Sequence, residues 1–168
     1  MGKQEDQRLK AIGTGGGHPA EGRLVVRIVR KSVAYITRGQ RVLFFRPLEL
    51  PRSGAELPGG TLLAGEDPED GLLREVHEET GLDDFGPPTL LGVVRHDPGL
   101  DGTELHERHF YHLPLLEEAP EVWERRVEEG NGTFTFSFFW VDAASRPTDM
   151  YPGHDEFLDE VLSRLETS

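Results

Sequence analysis

Apolar positions along the chain fall into short runs separated by glycine, proline and charged residues, and most of these runs read as strands. Residues 23–30 (RLVVRIVR) predict a strand with basic ends. Residues 32–37 and 41–45 predict two more β-rich runs around the short turn Arg38-Gly39-Gln40. The stretch 47–56 contains Pro47, Pro51 and Gly54 and reads as a loop. Strands follow at 89–96 and at 105–113, the latter with partial period-2 alternation, and Pro114 and Pro120 bracket a turn. Residues 122–127 fit either a short strand or a helical turn, whereas 133–141 (TFTFSFFWV) is rich in aromatic residues and threonine and is the strongest strand in the chain.

The period changes to that of a helix in two places. In the first, Asp67 suits an N-cap, Pro68 the first helical position and Glu69 and Asp70 the first turn. Leu72, Leu73 and Val76 form its apolar stripe, and Gly81 stands where a left-handed residue ends a helix. In the second, over 154–166, Phe157, Leu158, Val161, Leu162 and Leu165 predict an amphipathic helix. No internal repeat is visible. Strands with helices between and after them predict an α+β fold, with a mixed sheet lying between helices.

At 168 residues the chain suits one domain over 23–168, preceded by a flexible arm over 1–22 that holds Gly13, Gly15, Gly16 and Gly17. No apolar run approaches 18 residues, so no membrane helix is expected. The segment 1–11 lacks the apolar stretch of a secretory signal. The absence of cysteine excludes disulfides and cysteine–zinc sites and suits a cytoplasmic location. A formal net charge of −13 argues against a nucleic-acid-binding module. It would also repel a phosphorylated substrate, unless a bound divalent cation reverses the local sign.

The first helix supplies a reason to expect that cation. Glu75, Glu78 and Glu79 stand at i, i+3 and i+4, on one face. Like charges at this spacing destabilise an isolated helix, and several carboxylate oxygens suit Mg²⁺ or Mn²⁺. Leu57-Pro58-Gly59-Gly60 precedes the helix with glycines that permit close approach of a phosphate or metal, and Arg74 can pair with Glu78 or with Glu66 in the loop.

Residues 60–82 then match a longer pattern: Gly60, Glu66, Arg74, Glu75, Val76, Glu78, Glu79, Gly81 and Leu82 at fixed spacing. Seven of these fixed positions would recur by chance in fewer than roughly one in a million chains of this size. The pattern resembles that of the Nudix hydrolases at every defined position. The resemblance implies an α/β/α sandwich in which this segment is a loop–helix–loop. It implies hydrolysis of the diphosphate linkage of a nucleoside diphosphate derivative, by water attack on phosphorus, with Mg²⁺ or Mn²⁺. By the same resemblance Glu75, Glu78 and Glu79, with the carbonyl of Gly60, are metal ligands. Arg74 orients the glutamates and Glu66 supports them, so that Glu75, Glu79, Arg74 and Glu66 form the catalytic group. The implied partner is a small molecule, and a homodimer pairing or swapping the 23–30 strand and the arm is compatible with it.

Other positions carry weaker expectations. The general base varies within the family, and candidates are Glu75, Glu104, Glu107, Glu128, Glu129 and His154. Arg27, Arg46 and Arg52 suit bidentate contacts to phosphate. Trp123, in a polar setting, is the best candidate for stacking on a base, since most of Phe44, Phe45, Phe138, Phe139 and Trp140 belong in a core. His106 and His112 share a strand face and His109 does not, which disfavours a zinc site. Pro98, 16 residues beyond Leu82, resembles a marker of the ADP-ribose pyrophosphatases and gives a slight lean to ADP-ribose or a nucleotide sugar. Clean-up of nucleoside triphosphates, oxidised ones included, is the close alternative, and a nucleotide-sensing module without catalysis is a third.

Overall fold

A computed structural model of the chain describes residues 25–130 and 132–167, so the expected arm lies outside the described residues. The elements are β1 (Arg27–Arg38), β2 (Arg41–Pro47), β3 (Gly59–Thr61), α1 (Pro68–Thr80), β4 (Thr89–His96), β5 (Glu104–Pro114), β6 (Val122–Glu129), β7 (Gly132–Asp142) and α2 (Leu158–Glu166). The strands form one sheet in the order β4-β5-β1-β2-β7-β6, with β3 beside β1. β1 and β5 run parallel, and the remaining pairs are antiparallel.

The α/β/α arrangement follows from alternation along the central strands. Ala34, Ile36, Leu43 and Phe45 point to one face and pack with Leu72 and Val76 of α1 and with Phe136 and Phe138. Val33, Tyr35, Val42 and Phe44 point to the other face and pack with Leu158, Val161, Leu162 and Leu165 of α2. Full burial of each such side chain contributes about 1.5–3 kcal/mol, against about 0–1 kcal/mol for an exposed ion pair. The two apolar layers therefore set the fold.

Several elements differ from the sequence reading. The 23–30 run from Arg27 onward and the run at 32–37 are one strand, β1: Ser32, a polar break, is fully buried and donates its hydroxyl to the Pro68 carbonyl at 2.7 Å. Residues 122–127 lie in a strand, paired throughout with β7. Leu73 is exposed, so the buried apolar stripe of α1 consists of Leu72 and Val76. The last helix starts at Leu158 rather than 154, because the segment before it is tied to the sheet. The Tyr35 hydroxyl donates to the His154 carbonyl at 2.7 Å and accepts the Phe157 N–H at 3.0 Å.

One departure positions the site. β1 pairs with β2 only next to the Gly39 turn, at Thr37↔Val42 and Arg38↔Arg41. Farther along it pairs instead with β3, at Val33↔Gly59, Ser32↔Gly60 and Lys31↔Thr61. The segment ahead of α1 is thereby threaded between two central strands.

Candidate active site

The helix α1 has the ends its sequence predicts. Asp67 accepts the N–H groups of Glu69 and Asp70, and Gly81 closes the helix in the left-handed region at φ 78°. This fixes which way the acidic face points. Arg74 lies at its centre and binds Glu66 through two parallel hydrogen bonds of 2.9 and 2.8 Å. The same guanidinium reaches Glu75 at 2.9 Å, Glu78 at 3.3 Å and the Thr61 carbonyl at 3.3 Å. Bidentate arginine–carboxylate pairing is geometrically specific, so loop and helix are held as one unit. Arg74, together with the Leu63 N–H, holds the Glu66 carboxyl down at about 2.

Glu79 is the unusual member. It is 1% exposed; one carboxylate oxygen accepts the Gly59 N–H at 3.2 Å, and the other, Oε1, is buried with no hydrogen-bond donor among the described residues, its side chain lying against the Glu129 carboxylate. Burial raises its pKa well above the usual carboxylate range, and the charge of Glu129 raises it further. Burial also raises Glu75. The glycines are required for close approach. A Cβ on Gly60 would lie 2.3 Å from Glu75 Oε2. One on Gly59, whose φ is 156°, would lie 2.2 Å from the Ser32 carbonyl oxygen.

These residues fit a hard divalent cation. A buried carboxylate oxygen without a partner is costly unless a cation or donor satisfies it. Glu75, Glu78 and Glu79 supply oxygen donors on one face beside the Gly60 backbone, which is the donor chemistry Mg²⁺ and Mn²⁺ take. As the side chains stand, Glu75 and Glu78 turn to Arg74 and Glu79 to Gly59. No three acidic or imidazole groups among the described residues converge on one point.

Two further carboxylates join this group. Glu129 ends β6, and its charge acts on Glu79, Glu75 and Glu56. Glu56 is held at about 7, raised by burial and by Glu129 and lowered in part by Lys31 and Arg108. Glu56, Lys31 and Arg108 were not singled out by the sequence reading. The available signal was the position of Glu56, alone between Ala55 and Leu57, four residues before Gly60.

The remaining expected residues lie elsewhere or have other partners. Arg46 forms a two-bonded pair with Asp149 at 2.7 and 2.9 Å and lies over Phe139. Arg52 is exposed in the 47–56 loop, and Arg27 is exposed and pairs with Glu104 at 3.5 Å. Trp123 stacks on Phe138 with ring centroids 5.0 Å apart and donates its indole N–H to the Thr80 carbonyl at 3.1 Å. It thus packs β6 against the end of α1 instead of standing free. Glu104 bonds His106, and Glu107 bonds His109 and Arg95, within the β4–β5 edge. His112 bonds Thr37 at 2.8 Å, so the three histidines do not gather. His154 accepts the Leu57 N–H at 2.9 Å, and burial drives its pKa down to about 3. It serves as a buried acceptor that anchors the segment ahead of Gly59, not as a base poised near neutral pH. Pro98 sits in a turn where the Asp97 carboxylate accepts the N–H groups of Gly99, Leu100 and Gly102. That turn accounts for the proline.

An acidic helix clasped by one arginine, preceded by a glycine turn and carried under a mixed sheet, defines the class expected from residues 60–82. The sequence model of the NUDIX domain matches residues 28–161, and the chain belongs to that family. It is 49% identical over 53 residues to an 8-oxo-dGTP diphosphatase of Proteus vulgaris, a match covering 31% of this chain and 46% of that protein. The chain thus spans about half the length of that curated relative. Its fold is similar to the MutT NUDIX hydrolase of Burkholderia pseudomallei at a TM-score of 0.64 and 25% identity, covering 80% of this chain and 98% of that one. It also resembles a putative nudix hydrolase of Chromobacterium violaceum in fold, at a TM-score of 0.52 and 22% identity, covering 87% and 84% of the two chains. No helix among the described residues is long and apolar enough to cross a membrane.

Proposed function

We propose that the chain is a Mg²⁺- or Mn²⁺-dependent pyrophosphohydrolase that cleaves the diphosphate linkage of a nucleoside diphosphate derivative. The observation that carries this reading is the buried Oε1 of Glu79, which no donor among the described residues reaches, set beside Glu75 and the Gly59-Gly60 turn. Glu75, Glu78, Glu79 and the Gly60 carbonyl would hold the ion. When bound, it supplies charge neutralisation on the phosphate oxygens and makes water more acidic.

The chain's own residues do the rest. Arg74 and Glu66 lock the helix to the loop, so that the acidic face does not reorganise as charge develops. Gly59 and Gly60, lacking side chains, let the turn close against the Ser32 backbone and the Glu75 carboxylate. Glu129, whose charge acts on Glu79, and Glu56, held at about 7, are the candidates for the general base that takes a proton from attacking water. Nucleoside triphosphates fall within this substrate class, and the name of the Proteus vulgaris relative supports them. Nucleotide sugars and ADP-ribose are the other arm.

Hydrolysis in ¹⁸O-water tests the chemistry. The account expects one label per turnover, on a phosphate of one product only. Label on a sugar hydroxyl, or scrambled between both products, contradicts attack on phosphorus at a single position.

A further inference from the structure

The last turn of α1 carries Glu78 and Glu79, two of the proposed metal ligands, and it is also where the helix runs out of its own hydrogen-bond donors. The His77 carbonyl takes the Gly81 N–H at 2.9 Å. The carbonyls of Thr80 and Glu78 are reached from another element. The Trp123 indole N–H donates to the Thr80 carbonyl at 3.1 Å, and Arg125 Nη2 points at the Glu78 carbonyl from 3.5 Å, the long limit of a hydrogen bond. The Arg125 guanidinium also lies against Gly81, where a Cβ would meet it at 2.4 Å. A positive charge at a helix C-terminus is favourable in itself.

Both side chains come from β6. Trp123, Arg125, Val127 and Glu129 alternate along that strand and share the face turned to α1. Val127 joins the apolar layer that holds Leu72 and Val76, and Glu129 acts by its charge on Glu79 and Glu75. β6 ends the sheet and, among the described residues, pairs with β7 alone. Trp123 is braced against β7 by its stacking on Phe138, which fixes where its N–H points.

Thr80 is the link to the site. It follows Glu79 directly and is 3% exposed. Its hydroxyl donates to the Val76 carbonyl at 2.7 Å and accepts the Leu82 N–H at 3.1 Å, while its carbonyl takes the Trp123 N–H. These bonds hold one buried residue on three sides, so they fix the backbone from which the Glu79 side chain leaves the helix. Without the indole, the buried carbonyl would lose its donor, and a buried polar group without a partner favours rearrangement.

We propose that Trp123 is a positioning residue for the metal-dependent site. By holding the Thr80 carbonyl it fixes the last turn of α1, and with it Glu78 and Glu79, and Arg125 assists through the Glu78 carbonyl. Trp123 acts through the helix backbone rather than on substrate or ion. This inference rests on the pyrophosphohydrolase reading and adds β6 to the elements that shape the site.

The test is Mn²⁺ binding by calorimetry, without substrate, for the full chain and three variants, beside kcat and KM on a nucleotide that the wild type turns over. Trp123→Phe keeps an aromatic ring on Phe138 and removes the N–H. It is expected to weaken Mn²⁺ binding by roughly 5-fold or more and to lower kcat by roughly 10-fold, with KM within about twofold. Arg125→Met, at an exposed position, removes the charge and should weaken Mn²⁺ binding by about threefold. Val161→Ala is the control for lost stability: it opens the other apolar layer, under α2, where no residue of β6 or α1 packs. Its melting temperature should fall while Mn²⁺ affinity and kcat stay within about twofold of the wild type. Unchanged Mn²⁺ affinity in Trp123→Phe overturns the proposal, and where that variant does not fold, unchanged affinity in Arg125→Met does so. An equal loss of affinity in Val161→Ala overturns it too, because lost stability alone then explains the effect. A wild type that binds no Mn²⁺ overturns the metal-dependent reading together with this inference, whereas a wild type that binds Mn²⁺ no better than the β6 variants overturns this inference alone.

Discussion

The Gly59 N–H donates to the Glu79 carboxylate at 3.2 Å, which couples the glycine turn to the acidic helix 20 residues later. The turn and the helix are thus one device, and a side chain at Gly59 would break it. Its φ of 156° and the 2.2 Å approach of the Ser32 carbonyl leave no room for a Cβ. Gly59→Ala should destabilise the fold by about 2 kcal/mol or more in urea denaturation, with an unchanged m value. A variant as stable as the wild type contradicts this backbone geometry.

Glu79 should be a liability to the metal-free fold. Its folded pKa lies above its unfolded value. The stability it contributes is therefore present below the unfolded carboxylate pKa and is lost as pH rises through the folded one. Glu79→Gln is thus expected to melt at a higher temperature than the wild type in EDTA at pH 8, and the gain should shrink toward pH 4. The same variant should lose at least about 100-fold in turnover. A lower melting temperature at pH 8 would show that the ionised carboxylate is satisfied in the fold.

Arg74 makes hydrogen bonds to three glutamates and one carbonyl from a single planar group. Lysine keeps the charge but cannot reproduce the paired bonds to Glu66. Arg74→Lys should reduce kcat by roughly 10–100-fold, the range typical when a group that orients metal ligands is lost. Its effect on melting temperature should be small by comparison. Wild-type kcat in this variant would remove the clasp from the account.

His154 gives the fold a defined acid sensitivity. Its folded pKa is about 3, below the value near 6.5 of an unfolded chain. The stability it contributes is complete above about pH 6.5 and is lost as pH falls toward 3, at about 1.4 kcal/mol per unit. Denaturation at pH 7, 6 and 5 should show this slope in the wild type and a shallower one in His154→Gln. Identical slopes would mean that His154 is protonated in the fold without cost.

What could be read from the sequence was mostly local. Asp67, Pro68 and Gly81 act within one turn of α1, so they disclosed its ends before any tertiary contact was known. The Arg74–Glu66 pair spans only eight residues and was equally accessible. The continuity of β1 was hidden because Ser32 finds its partner 36 residues away, at Pro68. Trp123 looked surface-bound because its neighbours in sequence are charged. Its ring is covered by Phe138, on the adjacent strand, and its N–H by Thr80 of α1. Lys31, Glu56, Arg108 and Glu129 come from four segments distant in sequence, so the influence of the other three on the Glu56 carboxyl emerges only in the folded chain.

The central claim is that Glu75, Glu78 and Glu79 serve a metal-dependent pyrophosphohydrolase. The most direct measurement is phosphatase-coupled phosphate release from nucleoside triphosphates, nucleotide sugars, ADP-ribose and dinucleoside polyphosphates. It should be run with Mg²⁺, with Mn²⁺ and with EDTA, for the wild type and for Glu78→Gln and Glu79→Gln. The account predicts turnover concentrated on one substrate class, abolished by EDTA and reduced by at least about 100-fold in both folded variants. Full activity in both variants, or no turnover of any substrate by a folded wild type with either metal, would contradict it.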